Sequence, residues 1–238
     1  IESKSWQKVR QIQNTILTAY DSDFGKHAPV SIVPRIRQIW NNIPAQLSRE
    51  NKKYVYGLIR KGARAKDYEL ALSWLEDAGL IYRVSRIETP RIPLKAYENF
   101  DAFKIYTLDV GLLTAMTDLS AQTLLEGDEI FTEFKGALTE QYVLEELKNR
   151  HLYAAYWSRD KGSQAEVDFI VQLDDLIVPI EVKAEENLQS KSLRVYRDKC
   201  KPSYVVRTSL SNYRKDDWLT NIPLYMISQI DNKRWYNV

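Results

Sequence analysis

The segment EVDFIVQLDDLIVPIEVK, residues 166–183, constrains the fold more than any other part of this 238-residue chain. Two apolar, β-branched runs flank the adjacent aspartates Asp174 and Asp175, and a short polar pair in that position closes a two-residue hairpin. Such a turn sets the register by counting. Leu173 faces Leu176, Asp168 faces Glu181 and Glu166 faces Lys183, so four charged side chains share one face. On the other face Val167, Phe169 and Val171 lie beside Val178, Ile180 and Val182, an unbroken apolar surface that belongs in a core.

Opposed side chains of an antiparallel pair have Cβ atoms about 4.5–5.5 Å apart, and like charges there repel. Asp168 and Glu181 therefore call for a cation. A hard divalent ion, Mg²⁺ or Mn²⁺, takes one or two carboxylates and completes its shell with waters and phosphate oxygens. Its bound water is a nucleophile for a phosphodiester, and Lys183, two residues along from Glu181, is placed to stabilise charge or take the proton. A third acid lies upstream in GALTEQYVLEEL, where the apolar stripe Ala137, Leu144, Leu147 runs through Glu140 at helical spacing and turns that carboxylate inward. The same residues also read as ordinary structure: Glu140 paired with a lysine or capping a strand, Glu166 and Lys183 as a cross-strand ion pair, Asp168 and Glu181 solvated. Cys200, His27 and His151 stand apart, so a zinc site of sulfur and nitrogen ligands is excluded and any metal is held by oxygen.

Along the chain, helical spacing through Val9, Ile12, Ile16 and Leu17, then through Ile32, Ile36, Ile39 and Trp40, predicts two helices punctuated by Pro34 and Pro44. A third helix is expected over 48–62, capped by Ser48 and ended by Gly62, and a fourth ends at Gly79 with Leu70, Trp74, Leu75 and Ala78 on one face. Strands at 80–87 and 92–97, about a Thr89-Pro90 turn, complete the order of a winged helix. After a connecting region at 98–133, with FKIYTLDVGLL leading into a helix, the pattern becomes helix 134–149, strands 152–157, 165–171 and 177–183, helix 188–199 and strand 203–207, an αβββαβ order; WLTNIPLYMIS adds a further short strand. Three segments follow: a helical, winged-helix-like domain at 1–97, the connector, and an α/β domain at 134–238.

Charge is uneven. Residues 1–66 carry thirteen basic against four acidic side chains and residues 67–146 six against sixteen, which points either to an anionic partner for the first segment or to two halves that complement each other. The second helix of the winged-helix order is acidic, with Asp67, Glu69, Glu76 and Asp77, the wrong charge for a DNA groove; the bases stand before it, at Arg60, Lys61 and Arg64. Helix 188–199 presents Lys191, Arg194 and Arg197, read either as a phosphate track or as a solvated face.

Glu140, then Asp168, then Glu181-Val182-Lys183 after twelve intervening residues, on an αβββαβ core, resembles the PD-(D/E)xK phosphodiesterase superfamily, with its restriction-endonuclease-like fold. Val167 stands where that motif has proline. The resemblance implies metal binding by Glu140, Asp168 and Glu181, catalytic assistance by Lys183, and Mg²⁺- or Mn²⁺-dependent nuclease activity on DNA. The wider run ENKKYVYGLIRKGARAKDYELALSWLEDAGLIYRV, PLKAYEN, FKIYTLDVGLL, FKGALTEQYVLEEL, AEVDFIV, VPIEVKA and KSLRVY resembles the uncharacterised domain that follows the AAA-type ATPase core in predicted bacterial and archaeal ATPases. It implies that a nucleotide-binding domain precedes Ile1. ATP hydrolysis is not expected from these residues, because Gly25-Lys26 is followed by His27 and Tyr20 stands where a P-loop has its first glycine. With no apolar run of some eighteen residues and no hydrophobic leader, a cytoplasmic protein is expected. The alternative to an enzyme is a non-catalytic nucleic-acid-binding or regulatory module on a nuclease-like fold.

Overall fold

The computed structural model describes residues 5–120, 123, 132–159, 165–184 and 190–232. It divides into two compact units, residues 1–83 with 104–138 and residues 84–103 with 139–238. Among the described residues no helix is long and apolar enough to cross a membrane.

The first unit is helical, with α1 (Trp6–His27), α2 (Val33–Leu47), α3 (Ala65–Asp77) and α4 (Val110–Met116). Ile36, Ile39, Trp40, Ile43 and Leu47 give α2 its buried face, and Phe24 of α1 meets Trp40 edge-on at 5.9 Å and Trp74 of α3 at 5.8 Å. Pro34 occupies the first turn of α2, where its missing N–H costs nothing, whereas Pro44 lies inside the helix and does not end it. The helix expected over 48–62 is a single 3₁₀ turn, Tyr56–Leu58. The physical reason is Gln46: buried at the end of α2, its amide donates to the Val55 carbonyl at 2.9 Å and accepts from the Val55 N–H at 3.0 Å, satisfying an extended backbone from the side. Two apolar stripes also shift. Val9 and Ile12 remain exposed, Phe24 being the one α1 residue that is buried among those described. In α3, Leu70 is 72% exposed while Tyr68, Ala71, Leu72 and Leu75 are buried. Tyr68 is able to turn inward because its hydroxyl donates to Gln38 Oε1 at 2.8 Å.

The second unit rests on a mixed sheet in the order β2-β1-β3-β4-β5-β6-β8-β7, from β1 (Ile81–Ile87), β2 (Asn99–Thr107), β3 (Ala154–Ser158), β4 (Glu166–Leu173), β5 (Leu176–Val182), β6 (Val206–Ser209), β7 (Arg214–Lys215) and β8 (Thr220–Pro223). With α5 (Thr132–Asn149) and α6 (Lys191–Cys200), the expected α, three strands, α, strand order holds, and the tail contributes β8. The strand expected at 92–97 is instead a 3₁₀ turn, Leu94–Tyr97, tied to the sheet by Leu94 N–H donating to Gln172 Oε1 at 2.8 Å; the strand lies later, at β2. Two elements on which the winged-helix expectation rested, 48–62 and 92–97, therefore differ from it.

The β4–β5 hairpin turns at Asp174-Asp175, with Leu173 paired to Leu176 and Phe169 to Ile180, the register counted from a two-residue turn. Asp174 adopts φ 52, a left-handed conformation that a short polar side chain tolerates. Pro179, which has no N–H, sits just before the β6 ladder begins at Ile180. Phe169, Val171, Val178 and Ile180 are fully buried, as their face requires, whereas Val167, expected beside them, lies past a register shift in the β3–β4 ladder and is buried in one cluster with Ile170. The other face is buried as well near the turn, where Ile170 packs with Leu193 and Tyr196 of α6. The charged residues of the two strands, Glu166, Asp168 and Glu181, thus lie toward the hairpin end remote from the turn.

Candidate functional site

At that end the β4–β5 ladder stops at Phe169 and Ile180. The next available N–H, on Val182, donates at 2.8 Å to Asp168 Oδ2, so Asp168 replaces a strand partner with its carboxylate. Glu181 is 5% exposed. Its Oε1 meets Lys183 Nζ at 2.8 Å, and its Oε2 is buried with no hydrogen-bond partner. Lys183 stands just past β5; its N–H donates to the Thr208 carbonyl of β6 at 2.9 Å, which fixes the backbone, and its side chain is 31% exposed. Lys183 thus pairs with Glu181 on its own strand, where a cross-strand pair with Glu166 is the ordinary structural expectation.

Asp168, Glu181 and Lys183 thus come together at the ends of β4 and β5. Glu140 is buried on α5 between Thr139 and Gln141, with Ala137, Leu144 and Leu147 fully buried around the same helix, as the stripe predicted. Among the described residues no group of three or more His, Cys, Asp or Glu side chains is arranged to hold a metal ion. The strand ends carry two carboxylates, Asp168 and Glu181, and one oxygen of the latter is buried without a donor.

A further charged residue escaped the sequence reading. Arg207 of β6 is 2% exposed and is the registered neighbour of Glu181 on one side and of Asn221 on β8 on the other. Its Nε donates to Asn221 Oδ1 at 3.0 Å, Ser209 Oγ donates to the same oxygen at 2.8 Å, and Asn221 Nδ2 donates to the carbonyls of Asn212 and Ser211. Burial, reinforced by the like charge of Arg214, lowers the Arg207 guanidinium from its ordinary value, against the attraction of Asp216 and Glu181. A polar row therefore crosses the sheet from Glu181 through Arg207 to Asn221. The available signal was an arginine inside VVRTS, a predicted strand with no other charge.

The basic residues fall into two groups. Lys191, Arg194 and Arg197 lie on α6 in the second unit, with the Arg194 and Arg197 guanidinium carbons 5.6 and 4.7 Å from the centre of the Trp218 ring. Arg60, Lys61 and Arg64 are exposed in the first unit, just after its 3₁₀ turn.

No curated protein and no solved structure matches the chain. Residues 135–227, which contain Glu140, Asp168, Glu181 and Lys183, match a family model described as a domain of unknown function, DUF4143. Residues 1–123, more than half of the 238, match a second such model, DUF8612, and the chain belongs to that family of domains of unknown function.

Proposed function

We propose that Asp168, Glu181 and Lys183 form a Mg²⁺- or Mn²⁺-dependent phosphodiesterase site of the PD-(D/E)xK type acting on DNA, in a domain attached to an AAA-type ATPase. One observation carries the reading: Glu181 Oε2 is buried without a donor, one residue along from the Val182 N–H that the Asp168 carboxylate accepts. A buried acceptor left unsatisfied costs about 1–3 kcal/mol, more when charged, and a divalent cation removes that cost. Asp168 and Glu181 would hold Mg²⁺, which keeps several waters; Glu140 takes the third acid position from the motif alone. When bound, the ion supplies an activated water for attack on phosphorus. Lys183 leaves Glu181, moves to a phosphate oxygen and stabilises the charge that builds as the P–O bond to the leaving strand breaks and the leaving oxygen takes a proton from solvent. A second reading, a non-catalytic binding or regulatory module, is favoured by the 2.8 Å contact of Lys183 with Glu181, since the lysine already stands where a metal would neutralise that carboxylate.

Incubation with plasmid and linear DNA in Mg²⁺ or Mn²⁺ tests the proposal, alongside Mn²⁺ binding followed by electron paramagnetic resonance. Wild type is expected to cut and to bind Mn²⁺. Lys183→Ala should abolish cutting, and Glu181→Gln both cutting and Mn²⁺ binding. No cleavage by wild type, or equal cleavage by Lys183→Ala, rejects it.

A further inference from the structure

The outer face of α6 and Trp218 form a unit that the strand-end site does not use. Residues 191–201 carry five basic side chains, Lys191, Arg194, Arg197, Lys199 and Lys201, against the single acid Asp198. Leu193 and Tyr196 bury the inner face in the core, leaving Lys191 and Arg194 exposed. Arg197 gives Nε and Nη2 to Asp198 Oδ1, whereas among the described residues Lys191 and Arg194 pair with no acid. Both arginines lie over the Trp218 ring, at 5.6 and 4.7 Å. A guanidinium held against an indole has lost part of its rotational freedom, which lowers the entropic cost of gripping a phosphate; in Arg197 the Nε/Nη2 edge goes to Asp198 and the remaining Nη N–H groups are the ones left for a phosphate.

The direction of the helix connects this unit to the site. Tyr196 and Cys200 line a cavity of about 370 Å³ together with Asp175, Leu176 and Ile177, so the C-terminus of α6 lies at the hairpin turn. Its N-terminus therefore points toward the other end of β5, where Glu181 and Lys183 stand. At 1.5 Å per residue, Arg197, Arg194 and Lys191 form a ladder of about 9 Å climbing toward those strand ends.

We infer that Lys191, Arg194 and Arg197, with the two arginines braced on Trp218, are a sequence-independent phosphate track that leads a nucleic-acid strand to the Asp168–Glu181 end of the hairpin. This rests on the nucleic-acid reading of that site, but it requires neither metal nor cleavage. Each phosphate contact on a single strand contributes about 0.7 to the slope of log affinity against log salt.

The test is fluorescence anisotropy of a labelled 20-nucleotide single strand with the full chain in EDTA, over a range of salt, with circular dichroism as the fold control. Wild type should bind with a salt-dependent affinity, and Arg194→Gln with Arg197→Gln should lower the slope by about 1.4. Arg194→Lys with Arg197→Lys should keep the slope but bind more weakly, and Trp218→Leu should do the same, because charge survives and bracing does not. Inorganic phosphate at millimolar concentration should not compete beyond its ionic strength. The inference is overturned if wild type does not bind, if the double Gln variant titrates like wild type, or if polyglutamate of similar length binds as tightly as DNA. Since EDTA removes divalent ions, failure here leaves the cleavage proposal standing, and failure of cleavage leaves this inference standing.

Discussion

Replacing Lys183 by Ala removes the 2.8 Å ion pair of Glu181, and its consequence can be sized from the geometry. Glu181 is 5% exposed; Oε1 would lose its 2.8 Å partner, and Oε2 has none to begin with. Breaking a fully buried ion pair costs about 3–5 kcal/mol, and orphaning a buried acceptor about 1–3 kcal/mol. Lys183 is 31% exposed, so water can follow into the vacated space, which places the expected loss near 2 kcal/mol. For a chain of this size that corresponds to a drop of about 4–8 °C in midpoint. The backbone bond from Lys183 N–H to the Thr208 carbonyl is untouched by the substitution, so the effect isolates the charge. Urea unfolding followed by tryptophan emission and far-ultraviolet circular dichroism measures it, Trp157 being fully buried in the second unit. Adding Glu181→Gln to Lys183→Ala should recover more than half of the loss, because a neutral amide replaces the uncompensated charge. Millimolar Mn²⁺ should stabilise Lys183→Ala more than wild type, since the lysine no longer competes. Unchanged stability of Lys183→Ala, or a double variant weaker than the single one, refutes the reasoning.

Ile170→Ala should cost about 3 kcal/mol in the same assay, because Ile170 is fully buried against Leu193 and Tyr196 and its loss leaves a cavity under α6. In the first unit, burial first and then Glu69, opposed by Arg83, push the Tyr56 hydroxyl up to about 12. The folded state thus favours the protonated phenol: that stabilisation is complete below the ordinary value of 10.0 and is lost as pH rises through about 12. Tyr56→Phe should flatten the fall of stability measured by urea titration between those two values, and a curve parallel to wild type would contradict this.

The hairpin was legible because its information is local. A two-residue turn and period-two alternation leave a single register that buries Phe169 and Val171, and a slip of one residue would bury the polar side chains instead; the alternation does not reach Val167, where the ladder with β3 shifts by one residue. Glu140 was legible for a related reason, since Ala137, Leu144 and Leu147 define an inward helix face through it. The segment over 48–62 was not, because its backbone is satisfied by Gln46, which no spacing within the segment reveals. The stripe of α3 was misplaced because a tyrosine, Tyr68, was taken inward with its hydroxyl answered by Gln38, thirty residues earlier.

The site divides along the same line. Residue type and alternation by themselves determined that Asp168, Glu181 and Lys183 would reach one end of one hairpin, because strand geometry depends on neighbours in the chain. Only tertiary structure decided that Val182 N–H satisfies Asp168, that Lys183 bonds Glu181 and that Arg207 stands buried beside it. Those choices depend on where strands end and which neighbour lies alongside, and such contacts arise between segments whose separation along the chain carries no period to read.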